Sequence, residues 1–141
     1  MTHRGHNPPT ARREHPLHHL RPHPGEPVPV GVATLLPDHA VRTAEYIVML
    51  APEARGRGLG TQATLLTLDH AFHVTNLRMV WLKVLAPNKA GIHAYEKAGF
   101  CAAGTIREAG YWLGQVCDEL VMDALSREFS GPSQVTPLRA R

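Results

Sequence analysis

The seven residues Arg55-Gly56-Arg57-Gly58-Leu59-Gly60-Thr61 carry the densest chemical signal in the chain. Glycine lets a backbone come close to a ligand, and a helix opening here presents unpaired N–H groups and the positive end of its dipole. With two arginines beside it, such a turn suits an anion, phosphate or pyrophosphate above all. A P-loop needs Lys-Ser/Thr after its last glycine, whereas Gly60 is followed by Thr61-Gln62. Gly58-x-Gly60-x-x-Ala63 has the spacing of a dinucleotide fingerprint, which also wants an acid at the end of the next strand. The next strand candidate, Met79 to Leu85, holds only Lys83, and no acid follows before Glu96. A dinucleotide is therefore not expected.

The elements that must hold this turn can be read from apolar runs and breakers. Val28 to Leu36 reads as a strand ended by a Pro37-Asp38 turn, and Ala44 to Leu50 as a strand that stops at Pro52. From Gly58 to about Asn76 the pattern is helical. Leu59, Ala63 and Leu66 lie on one face and Leu65, Leu68 and Phe72 on another, which predicts a helix buried on both sides. Met79 to Leu85 is a nearly continuous apolar run, suited to a central strand. Pro87-Asn88 opens a second helix that ends at Gly99. Cys101 to Leu125 divides at Leu113-Gly114-Gln115 into a hairpin, with Cys117 expected opposite about Tyr111 and both thiols free. The order β-β-α-β-α-β-β predicts an α/β (α+β) fold, a mixed sheet flanked by helices.

The 141 residues suit one domain, at 43% hydrophobic and 19% charged. Residues 1–27 hold six of the ten histidines and six of the twelve prolines with few large apolar groups, so a disordered tail is expected. The folded domain is expected over 28–129, and 130–141 as a flexible tail. His15, His18, His19 and His23 could chelate a metal; an irregular tail of adventitious affinity is the better reading. His70 and His73 lack the partners of a recognisable metal pattern, and no metal is expected. The net charge of +3 is mostly in the tail: residues 1–27 contribute +2 and the rest +1. With no basic stripe in the body, nucleic acid is not an expected partner. No run approaches a membrane span and the N-terminus has no apolar signal region, so a cytoplasmic protein is expected.

The glycine turn resembles the acetyl-CoA pyrophosphate loop of the GNAT N-acetyltransferase superfamily, Arg/Gln-x-x-Gly-x-Gly/Ala, through Arg55, Gly58 and Gly60. Asn88 to Phe100, with Tyr95 and the closing Gly99-Phe100, looks like that family's second signature. The resemblance covers roughly residues 28–127. Residues 44–53 and the closing hairpin are most similar to bacterial spermidine/spermine N-acetyltransferases, with the ribosomal-protein branch close behind. The family places a strand and two helices ahead of the strand at Val28; here the tail stands there, so a fold shortened at the N-terminus is expected.

The resemblance implies acetyl transfer from acetyl-CoA to a primary amine, a polyamine such as spermidine being the leading acceptor. It implies cofactor contacts from Arg55, Gly56, Arg57, Gly58, Leu59, Gly60 and Thr61, from the backbone of Val48, Met49 and Leu50, and from Asn88. Tyr95 would return a proton to the departing thiolate, although on spacing alone it fits equally a core face beside Ile92. Asn88 is also a natural helix N-cap. Glu45, at the start of the strand leading to the turn, would bind a cationic amine or accept its proton; a solvated edge position is the plainer reading. A protein N-terminus is the second acceptor class, and a non-catalytic acetyl-CoA-binding or dimerisation module is the contrasting reading. A homo-oligomer is left open.

Overall fold

The computed structural model describes residues 24–134. The histidine-rich run expected to be an irregular tail lies, through residue 23, outside the described residues. Seven elements follow one another: β1 (Gly31–Asp38), β2 (Thr43–Leu50), α1 (Leu59–His73), β3 (Met79–Leu85), α2 (Lys89–Ala98), β4 (Cys101–Trp112) and β5 (Gln115–Leu125). The strands form one mixed sheet in the order β1-β2-β3-β5-β4. Only β2 and β3 run parallel; the other neighbours are antiparallel.

The core lies on one face of this sheet. Ala44 and Tyr46 of β2, Val80, Leu82 and Val84 of β3, and Met122 and Ala124 of β5 alternate inward. They pack against Leu68, Ala71 and Phe72 of α1 and against Phe100, with Ile92 and Tyr95 of α2 at the margin. The other face carries Val32, Leu36, Glu45, Ile47, Met49, Trp81 and Lys83, and Met49 is 70% exposed there.

Three expectations are corrected. The first strand is not Val28 to Leu36 but Gly31–Asp38, so Pro37 lies within it, opposite Ala44. An edge strand tolerates a residue without an N–H, and the turn forms later, where Asp38 Oδ1 accepts from Ala40 N at 3.1 Å. The first helix ends at His73, three residues early. Asn76 takes a left-handed φ of 55°, and Leu77 drops into the core with its N–H bonded to Ala71 O at 2.9 Å. That helix is buried on one face rather than two, through Thr64, Leu68, Ala71 and Phe72, while Leu66 is 56% exposed. Its second leucine face has no layer above it among the described residues.

The second helix and the hairpin fall where expected. Gly99 closes α2 at a left-handed φ of 108°, and Leu113-Gly114, both at positive φ, turn the hairpin. Cys117 opposes Gly110, one rung from the expected Tyr111, and Cys101 opposes Asp123. Six residues of β5 therefore separate the two thiols, about 20 Å of strand, and both are free. No helix is long and apolar enough to cross a membrane among the described residues.

Candidate active site

Both helices start at the carboxyl ends of the two parallel strands. β2 runs into the turn at Pro52–Ala54 and then into α1; β3 runs through Pro87-Asn88 into α2. Between these strands the ladder is short: Thr43 pairs with Met79, Ala44 with Val80 and Glu45 with Trp81, and no further pair follows. From Tyr46 onward the strands part, while β2 stays fully paired to β1 up to Leu50. The result is a cleft with an open strand edge on one side and two helix N-termini at its mouth.

The glycine turn is set by two backbone conformations. Gly56 and Gly58 sit at φ 74° and 75°, a region L-residues with side chains rarely adopt. Gly58 is the N-cap of α1 and offers no side chain to its first turn. The first helical bond runs from Gln62 N to Gly58 O at 3.2 Å, so the N–H groups of Leu59, Gly60 and Thr61 lie ahead of it. No acidic residue lies in that turn. Arg55 and Arg57 are exposed and have no ion-pair partner among the described residues. This donor set fits a pyrophosphate: unpaired N–H groups, a helix dipole and two free guanidiniums. Gly60 is different, because a Cβ there would meet only Leu50 Cδ1 at an ordinary 3.5 Å. Gly60 is not required by the fold.

Val48, Met49 and Leu50 form the last rungs of β2. Their side chains alternate, with Val48 against the core and Met49 outward, so any role in the cleft belongs to the backbone. Asn88 caps α2, its Oδ1 accepting from Gly91 N at 3.0 Å. A Cβ on residue 91 would lie 2.6 Å from Asn88 Nδ2, so Gly91 makes room for the cap.

Tyr95 lies two turns into α2, half-buried, with its ring edge-on to Tyr46 at 6.5 Å and to Phe100 at 5.9 Å. Its hydroxyl has no hydrogen-bond partner among the described residues and is not sealed from solvent. Burial, and then the neighbouring Tyr46, push its pKa above the ordinary tyrosine value. The phenol is therefore protonated at neutral pH and able to give a proton.

Glu45 is not gathered with these groups on the helix side. As the neighbour of inward Tyr46 it projects to the opposite face, beside the last β2–β3 pair, with Oε1 3.9 Å from Lys83 Nζ. The long pair leaves the carboxylate half-buried and only weakly engaged.

Sequence reasoning missed three polar residues. Tyr46 and Thr64 are buried and joined at 3.1 Å, and the strand alternation Ala44-Tyr46-Val48 was the available clue. Asp69, on α1, is 2% exposed. It accepts from Ser133 Oγ at 2.7 Å, from Gln134 N at 2.6 Å and pairs with His73 Nδ1 at 2.6 Å. Ser133 and Gln134 belong to the segment expected to be loose; here they are tied to α1. No local pattern could have revealed a partner 64 residues away. His70 is exposed, and no group of three or more His, Cys, Asp and Glu is gathered as for a metal ion among the described residues.

Comparison with known proteins identifies the family. The model of the acetyltransferase (GNAT) family matches residues 3–100. The chain belongs to that family. It is 33% identical over 92 residues to the spermidine N(1)-acetyltransferase of Escherichia coli strain K12, an alignment covering 65% of this chain and 50% of that protein. The mycothiol acetyltransferase of Mycobacteroides abscessus is 43% identical over 60 residues, 43% of this chain and 20% of that one. Among solved structures, the spermidine N-acetyltransferase of Vibrio cholerae in complex with CoA and spermine superposes with a TM-score of 0.66 at 29% identity. That match covers 70% of this chain and 59% of the other. The chain spans about half the length of the spermidine acetyltransferases it matches.

Proposed function

We propose that this chain binds acetyl-CoA in the cleft between β2 and β3 and transfers its acetyl group to a primary amine, a polyamine such as spermidine. The observation that carries the reading is the parting of two parallel strands after Glu45 and Trp81, with the glycine turn at its mouth and an unpartnered Tyr95 hydroxyl beside it. Membership of the acetyltransferase family and the spermidine acetyltransferases among its relatives support the reaction and the acceptor class.

Acetyl-CoA supplies an activated thioester. The N–H groups at the start of α1, with Arg55 and Arg57, hold its diphosphate, and Asn88 Nδ2, not used in capping, is available to its pantetheine arm. Backbone N–H groups of Val48 and Leu50, which alternate away from β1, polarise the carbonyl. Only a neutral amine attacks, so its proton leaves first, to water or to Glu45 on the outer face of the sheet. Tyr95 Oη then gives its proton to the departing sulfur from the helix face. The two proton-handling groups thus stand on opposite sides of the sheet, and neither neutralises the other. The protein is expected to act without a metal and in the cytoplasm.

The test is release of free thiol from acetyl-CoA with spermidine, spermine, simple primary amines and a peptide bearing a free N-terminus, beside calorimetric titration with CoA. Turnover with spermidine supports the proposal. Turnover with the peptide alone moves the acceptor to a protein N-terminus. CoA binding without turnover on any amine overturns acetyl transfer in favour of a cofactor-binding module.

A further inference from the structure

Tyr46 joins the two halves of the candidate site. It is 3% exposed and is the first residue of β2 beyond the last pair with β3. Its hydroxyl lies 3.1 Å from Thr64 Oγ1, and Thr64 donates to Gly60 O at 2.7 Å. Thr64 has one hydroxyl hydrogen, spent on Gly60, so the phenolic hydrogen of Tyr46 runs to Thr64. The Tyr46 ring stacks on Phe100 at 6.3 Å and stands edge-on to Tyr95 at 6.5 Å. A single side chain therefore reaches from Thr64 in the second turn of α1, itself bonded to Gly60 of the first turn, to the ring of the candidate acid.

We propose that Tyr46 is a positioning residue: it holds the Tyr95 ring at the parting of the strands and fixes it relative to the glycine turn. The proposal rests on the role given to Tyr95 above. Tyr46 is buried and its hydroxyl hydrogen is committed to Thr64, so it acts only through its neighbour. The Tyr95 hydroxyl makes no hydrogen bond among the described residues, so aromatic contacts with Tyr46 and Phe100 are what orient its ring. The proximity of Tyr46 also contributes to the upward shift of Tyr95, after burial.

Two variants separate the contributions: Tyr46→Phe keeps the ring and loses the bond to Thr64, and Tyr46→Leu loses the ring. Tyr46→Leu is expected to lower kcat about tenfold through a misplaced acid, with KM for acetyl-CoA nearly unchanged. Added to Tyr95→Phe, the same change is expected to cost nothing further, because both act through one group. A second readout needs no turnover. The chain has three tyrosines, so ring NMR resolves them, and in Tyr46→Leu the Tyr95 resonances are expected to shift and its titration to move down toward the ordinary tyrosine value. Should Tyr46→Leu not fold, Tyr46→Phe and Thr64→Val, which cut the same hydrogen bond from either side, must produce matching shifts of the Tyr95 ring. Full additivity with Tyr95→Phe, or a Tyr95 spectrum and titration unmoved in these variants, overturns the proposal. A wild-type chain that releases no thiol with any amine refutes acetyl transfer instead, and the tyrosine spectra then decide alone whether Tyr46 holds the Tyr95 ring.

Discussion

Tyr95 is a phenol kept in its acid form by its surroundings. Burial first and Tyr46 second raise its pKa, so it stays protonated at pH values where an ordinary tyrosine, with a pKa of about 10, begins to ionise. In the proposed role as the acid, its action should therefore persist to higher pH than an ordinary phenol would allow, then fall. Tyr95→Phe should lower kcat roughly a hundredfold, abolish that alkaline fall and leave CoA affinity little changed. Steady-state rates across pH, with calorimetry for binding, check all three. Asp69 shows the opposite balance. Burial alone would raise its pKa, but bonds from Ser133, the Gln134 N–H and His73 more than offset this and hold it below the ordinary value. A depressed folded pKa stabilises the protein above the unfolded value of about 3.9, and that contribution is lost as pH falls toward the folded pKa. Asp69→Asn should cost about 1–3 kcal/mol at neutral pH, and the difference from wild type should shrink in acid denaturation below pH ~4.

At the scale of elements, the cleft exists because three pairs, not seven, join β2 to β3. The glycine turn then aims α1 back along the sheet through two left-handed residues. Because Gly58 needs its positive φ and Gly60 does not, equal substitutions should differ in kind. Gly58→Val should both strain the turn and raise the CoA dissociation constant at least tenfold, about 1.4 kcal/mol. Gly60→Val should leave the melting temperature closer to wild type yet weaken CoA similarly, since there only the ligand needs the space. Calorimetric titration beside thermal melting distinguishes them; unchanged affinity in both folded variants would remove the turn from the cofactor site.

The described residues form a two-layer arrangement, helices on one face of the sheet and, among those residues, an apolar, open surface on the other. Val32 is 65% exposed on that open face, opposite Met49 on the neighbouring strand. The two faces should answer differently to substitution. Val32→Thr and Met49→Gln should change stability by less than about 0.5 kcal/mol. Leu82→Ala, on the covered face of the central strand, should cost about 2–5 kcal/mol. Equal losses by denaturant melts would show that something covers the open face in solution.

Much of this was legible along the chain. The glycine turn, the Asn88 cap, the Gly99 stop and the Gly114 hairpin are local devices, each fixed by a few adjacent residues, and each stands where its sequence placed it. The family likeness of two spaced motifs was equally a property of the linear order. The rest depended on what lies across space. Pro37 could stay in a strand because that strand is an edge, and Leu66 is exposed because no second layer lies over α1 among the described residues. The Asp69–Ser133 bond joins residues 64 apart, and Tyr46 meets Tyr95 only because β2 and α2 fold against each other. Periodicity reports which side of an element is apolar. What covers that side is decided by packing between elements, which only the tertiary structure contains.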